Sequence, residues 1–192
     1  MIDLSIKNSI AHLVLTDPPA NTMTLSFFDE LNFIATKKLP SLSVKALFIY
    51  GISRHFSSGA EPNELISTIG TANNRDNFLN KNIDTFIKLE TLPYTKIAII
   101  NGCCFGSALE LALTCDYRVA SKRAIFSFPE SEFGLMPGCG GSVRATELIS
   151  KPNAIELMLS GKTFSSEEAK KIGIIDIIGE KKELQNIAEK LI

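Results

Sequence analysis

Two apolar stretches, Ile2–Lys7 and Ile10–Leu15, lie on either side of the turn-forming pair Asn8-Ser9, and the pattern predicts a β-hairpin. Asp17-Pro18-Pro19-Ala20-Asn21 is a breaker-rich loop. Over residues 26–39 the period changes to that of a helix: Phe27, Leu31, Ile34 and Ala35 share one face, and Pro40 follows the end. Residues 44–50 and 96–100 are short, nearly continuous apolar runs, the signature of buried strands. Residues 61–74 are polar and give no clear assignment, whereas 75–89 predict a helix. The later chain predicts helices over 107–115, 142–149, 153–159 and 182–191, and strands over 117–120, 124–128 and 174–178. Ser165 and Glu168 have capping-box spacing and open a helix that stops before Gly173. Strands and helices alternate, which predicts an α/β fold in one domain over residues 1–192.

Composition narrows the function classes. With 45% apolar residues the chain can build a sizeable core, and a net charge of −1 points to neither a nucleic-acid nor a polybasic membrane partner. No apolar run reaches membrane-spanning length, and the N-terminus lacks the basic and apolar regions of a signal peptide, so a cytoplasmic protein is expected. Cys103, Cys104, Cys115 and Cys139 lack metal-ligand spacing and are expected to be free buried thiols; no metal site is expected.

Three segments carry candidate chemistry. His55-Phe56-Ser57-Ser58-Gly59-Ala60-Glu61 follows a strand and ends in small residues, which let a ligand approach backbone N–H groups; a generic strand-to-loop turn has the same pattern. Asn101-Gly102-Cys103-Cys104-Phe105-Gly106-Ser107-Ala108-Leu109-Glu110-Leu111-Ala112 runs from a strand into a helix start, where unpaired N–H groups favour a developing oxyanion. Glu110 sits one turn inside that helix among apolar neighbours, either a solvated edge residue or a functional carboxylate. In the third segment, residues 126–141, Glu130 follows a strand end and Pro129. Taken alone, Glu130 and Glu132 read as surface residues; beside Glu110 they suggest a carboxylate pair. His12 reads as a packing or surface residue of the hairpin. His55 has no identifiable catalytic partner, and Arg118 and Arg144 read as solvated or salt-bridged side chains rather than phosphate contacts.

In this order the three segments resemble the enoyl-CoA hydratase/isomerase (crotonase) family. The likeness rests on Ser58-Gly59-Ala60-Glu61, on the run from Asn101 through Glu110 to Cys115-Asp116-Tyr117-Arg118-Val119-Ala120, and on Pro129-Glu130 followed by Gly134 and Pro137-Gly138-Cys139-Gly140-Gly141. Leu159-Ser160-Gly161-Lys162, Ala169 and Gly173-Ile174-Ile175 extend it over nearly the whole chain.

The resemblance implies a spiral of strand–strand–helix turns that binds acyl-CoA thioesters of fatty acid metabolism. Matched motif by motif, the backbone N–H groups of Ala60 and Ser107 would form the oxyanion hole, and Glu110 and Glu130 the acid–base pair of a hydratase or dehydratase. Pro19, Ala20, Asn21, Ala60, Glu61 and Leu65 would border CoA, which is part of the substrate, with no separate cofactor expected. A double-bond isomerase, a dehydratase of carrier-protein thioesters and a non-catalytic acyl-CoA-binding or assembly protein are the alternatives within the same resemblance. Four positions depart from the family pattern: Ser107 stands where glycine is commoner, Glu61 where aspartate is usual, and Cys103-Cys104 where an aromatic–small pair is common. The family's C-terminal helical region is expected to be absent, which bears on the acyl pocket and on the homo-trimer or hexamer that the resemblance implies.

Overall fold

The structure, a computed structural model, describes residues 1–70 and 72–192; Thr71, inside the unassigned polar stretch, lies outside the described residues. Strands β1 (Ile2–Lys7) and β2 (Ile10–Leu15) form the expected antiparallel hairpin, with Ile2 opposite Leu15 and Lys7 opposite Ile10. Asn8 and Ser9 both take positive φ, the conformation that a two-residue hairpin turn demands. β2 continues into a parallel sheet with β3 (Ala46–Gly51), β4 (Thr95–Ile100), β6 (Tyr117–Ser121) and β9 (Ile177–Gly179), in the order β1-β2-β3-β4-β6-β9.

Alternate side chains of these strands serve two apolar layers. Leu47, Ile49, Ala98 and Ile100 face the larger core, together with Phe27 and Leu31 of α1 (Leu25–Phe33) and Phe86 and Leu89 of α3 (Ala72–Glu90). Ala46, Phe48, Ile97 and Ile99 face the other way, against Leu184 and Ala188 of α8 (Leu184–Glu189). Burial on both faces is why these strands read as continuous apolar runs. Each fully buried phenylalanine, Phe48 and Phe86 among them, contributes roughly 1.5–3 kcal/mol.

A second, shorter ladder sets the site. β5 (Cys103–Phe105) pairs in parallel with β7 (Ile125–Ser127), and β7 pairs with β8 (Phe164–Ser165). Isolated parallel bridges join Ser57 to Cys104 and Met23 to Ala60. Each of β3, β4 and β6 therefore leaves the large sheet and adds a short extended stretch to this ladder. The chain winds as a spiral, and the loops of successive turns lie side by side. The remaining helices are α2 (Pro62–Ile69), α4 (Ser107–Ala112), α5 (Gly141–Leu148), α6 (Lys151–Ser160) and α7 (Ser166–Ile172).

Several expected boundaries shift. The helix expected over 26–39 loosens and then tightens near its end, passing into a π turn at Ile34–Lys38 and a 3-10 turn at Leu39–Ser41, where Pro40 ends regular helix. The strand expected over 174–178 pairs only at Ile177–Gly179; Ile174 and Ile175 are buried in the core without joining the ladder. The four cysteines are free and buried, as expected. Among the described residues, no helix is long and apolar enough to cross a membrane.

Candidate active site

The loop from Gly51 to Ala60 is pinned along its length. Phe56 N–H donates to the Asn101 carbonyl at 2.7 Å, Ser57 N–H to that of Cys103 at 3.1 Å, and Ser58 N–H to that of Ala20 at 2.9 Å. Asn21 is buried and fully engaged: its amide nitrogen donates to the carbonyls of His55 (2.9 Å) and Phe56 (3.1 Å), and its oxygen accepts the Asp17 N–H (3.0 Å). His55 accepts the Cys103 N–H through Nδ1 at 3.0 Å, so its ring ties this loop to β5.

The next turn of the spiral delivers Gly106 and α4 to the same place. A Cβ on Gly59, which has φ of +88°, would lie 2.5 Å from the Phe105 carbonyl oxygen and 3.6 Å from the Ser107 nitrogen, so only glycine lets the two loops touch. The residues on either side of Ala60 are tied to Met23: the Gly59 carbonyl accepts the Met23 N–H at 2.8 Å, and the Glu61 N–H donates to the Met23 carbonyl at 3.0 Å. The N–H groups of Ala60 and Ser107 are left over: among the described residues no backbone carbonyl accepts either.

Glu110, the fourth residue of α4, is 1% exposed. Its Oε1 accepts the N–H groups of Cys139 and Gly141, both at 2.8 Å. Burial raises its pKa above the ordinary carboxylate value, and those N–H groups and the Arg144 charge offset the rise only in part. Glu130 belongs to the turn Pro129–Phe133 and is only partly buried as a residue. Its Oε1 lies 3.0 Å from where a Cβ on Gly106 would be, beside the start of α4, and among the described residues its buried Oε2 has no hydrogen-bond partner. Burial, then the charge of Glu110, pushes Glu130 up to about 7. The two carboxyl groups thus differ: N–H donors from a neighbouring turn stabilise the ionised form of Glu110, and among the described residues no such turn serves Glu130.

Ala60, Ser107, Glu110 and Glu130 all line one cavity of about 500 Å³. Its other walls are mostly apolar, with Leu65, Ile66 and Ile69 from α2, Phe78 and Leu79 from α3, and Met136, while Arg75 and Glu132 also border it. None of the α2 side chains is buried against protein: Leu65, Ile66 and Ile69 share one helical face, and that face borders the cavity rather than the core. Cys139 lines the cavity too; burial and the two carboxylates push its thiol well above the usual range, so it is a neutral thiol rather than a nucleophile.

Of the expected CoA contacts, Ala60 and Leu65 line the cavity, while Pro19, Ala20, Asn21 and Glu61 do not. Asn21 spends its polar atoms on the loop it braces. Glu61 caps α2, accepting the Glu64 N–H at 2.7 Å. Pro19 is exposed, and its carbonyl accepts the Ser53 hydroxyl. Arg118 and Arg144 are salt-bridged, to Asp176 and Glu90. The N–H donors of Cys139 and Gly141 were not anticipated; the only sequence signal was the glycine-rich turn itself.

The sequence model of the enoyl-CoA hydratase/isomerase family matches residues 5–192. The chain belongs to the enoyl-CoA hydratase/isomerase family. It is 34% identical over 175 residues to the fatty acid oxidation complex subunit alpha of Vibrio parahaemolyticus, covering 88% of this chain and 25% of that protein. The chain therefore spans about a quarter of the length of that relative. A Bacillus subtilis protein named "Probable enoyl-CoA hydratase" is 32% identical over 178 residues, covering 92% of this chain and 68% of that one. Crystal structures of enoyl-CoA hydratases from Thermoplasma volcanium and Bacillus anthracis superpose with TM-scores of 0.91 and 0.89, each at 26% identity and over 99% of this chain, covering 76% and 74% of theirs. The spiral of strands and helices is the crotonase fold of this family.

Proposed function

We propose that the chain hydrates 2-enoyl thioesters, enoyl-CoA foremost, and dehydrates the 3-hydroxy product in reverse. The observation that carries this is the meeting of two unlike carboxyl groups, Glu110 and Glu130, with two unused N–H groups in one largely apolar cavity. The thioester oxygen accepts from Ala60 and Ser107, where the donors act on charge that develops as the enolate forms. Glu110, ionised, takes a proton from water as the water oxygen bonds to C3. The π electrons move to C2, and Glu130, protonated, supplies the proton there. Proton exchange between the two carboxyl groups through solvent restores the starting state. The α2 and α3 side chains take the acyl chain and pantetheine by apolar contact. CoA enters as part of the substrate, and no further cofactor is required. A reducing, cytoplasmic setting accords with four free thiols.

Double-bond isomerisation needs only one carboxyl group; the presence of both in the cavity favours addition of water. The test is turnover of a panel of enoyl thioesters, presented on CoA and on a carrier protein. Hydration of enoyl-CoA is expected. Turnover only of carrier-bound substrates would move the assignment to a carrier-linked dehydratase. No turnover and no thioester binding by calorimetry would overturn the enzymatic reading.

A further inference from the structure

Arg144 lies on α5, is 6% exposed and does not line the cavity. Its Nε and Nη2 donate to Glu90 Oε2 at 3.0 and 2.9 Å, from the end of α3. Its Nη1 donates to the Cys139 carbonyl at 2.8 Å. Cys139 is thus held from both sides, its carbonyl by Arg144 and its N–H by Glu110. A Cβ on Gly140 would lie 2.4 Å from Nη1, so the turn wraps closely on the guanidinium. We infer that Arg144 is a positioning residue, which clamps the 137–141 turn against Glu110 and sets a fixed positive charge behind that carboxylate.

The planar guanidinium suits this double duty, since one edge meets a carboxylate while another donor reaches a carbonyl. Arg144 on α5, Cys139 in the turn and Glu130 beyond β7 lie around Glu110, Arg75 of α3 and Glu132 line the same cavity, and Glu90 acts through Arg144. Arg144 is the cation among them that favours the ionised form of Glu110. The catalytic meaning of the clamp rests on the hydration reading, whereas the clamp itself does not.

The test is a carboxyl-carbon NMR titration of glutamate-labelled full-length protein, with the Glu110 resonance assigned by its loss in Glu110→Gln. Arg144→Gln keeps a donor for the Cys139 carbonyl but removes the charge, and is expected to raise the Glu110 midpoint by about one pH unit. Arg144→Lys keeps the charge and is expected to leave the midpoint near that of the wild type. Glu90→Gln removes the countercharge and is expected to move the midpoint down. A folded Arg144→Gln protein with an unmoved midpoint would overturn the inference, as would Arg144→Lys moving it equally far. If Arg144→Gln does not fold, Glu90→Gln decides: a downward movement supports the inference, and an unmoved or raised midpoint overturns it. No turnover is needed for this measurement, so a failure of the hydration reading is seen separately.

Discussion

Gly141→Ala is a small perturbation aimed at a single contact. Gly141 opens α5 and is not among the residues with positive φ, so alanine suits its backbone. The new methyl group would lie 2.6 Å from Glu110 Cγ and 2.8 Å from its Oε1. One of the two must move, and Glu110 is the group with side-chain freedom. Its hydrogen bonds from Cys139 and Gly141 would lengthen or break. A hydrogen bond to a charged group contributes about 1.5–3 kcal/mol. If one such bond is lost in the transition state, kcat falls roughly 10- to 150-fold. The acid limb of the pH–rate profile moves up, because the lost N–H groups held Glu110 in its ionised form. KM changes little, since the apolar walls remain. The assay is the disappearance of enoyl-thioester absorbance across a pH series, with circular dichroism to verify folding. Wild-type kcat and an unmoved acid limb in Gly141→Ala would refute the reasoning.

Ser107→Pro removes one N–H at the first position of α4, where proline is tolerated, and is expected to lower kcat by about 10²–10³-fold with the fold retained on circular dichroism. Ser107→Gly keeps the N–H and is expected to retain most activity in the same assay. Glu130 holds its proton up to about pH 7 when folded, whereas an unfolded glutamate releases it near its ordinary value. The folded state therefore loses stability as pH rises across that window, and Glu130→Gln is expected to flatten the loss; thermal melts at successive pH values check this.

The hairpin was legible because Asn8-Ser9 supplies a turn that tolerates positive φ between two apolar stretches. The capping box at Ser165 and Glu168 was legible because it is wholly local, and it forms as expected. β5 was hidden because Cys103-Cys104-Phe105 is short and directly follows the turn signal Asn101-Gly102, while its pairing partner is more than twenty residues away. α2 was missed although Leu65, Ile66 and Ile69 share a helical face, because three apolar residues in one short helix set among polar ones are a weak pattern. At the site, Glu110 was visible as a carboxyl group among apolar neighbours, whereas Glu130 taken alone read as a surface residue and became a candidate only beside Glu110 and through the family resemblance. What distinguishes them did not, because the donors to Glu110 are backbone N–H groups 29 and 31 residues further along. Asn21 was visible as a special loop residue, but only the fold reveals that its amide braces the loop at His55 and Phe56.

The central claim is that Glu110 and Glu130 together add water to an enoyl thioester. The most direct test is hydration of crotonyl-CoA by wild type, Glu110→Gln and Glu130→Gln, with thioester affinity measured alongside by calorimetry. The expected result is a loss of about 10²–10⁴-fold in kcat for each variant with binding retained. Turnover at the wild-type rate in either variant would contradict the account.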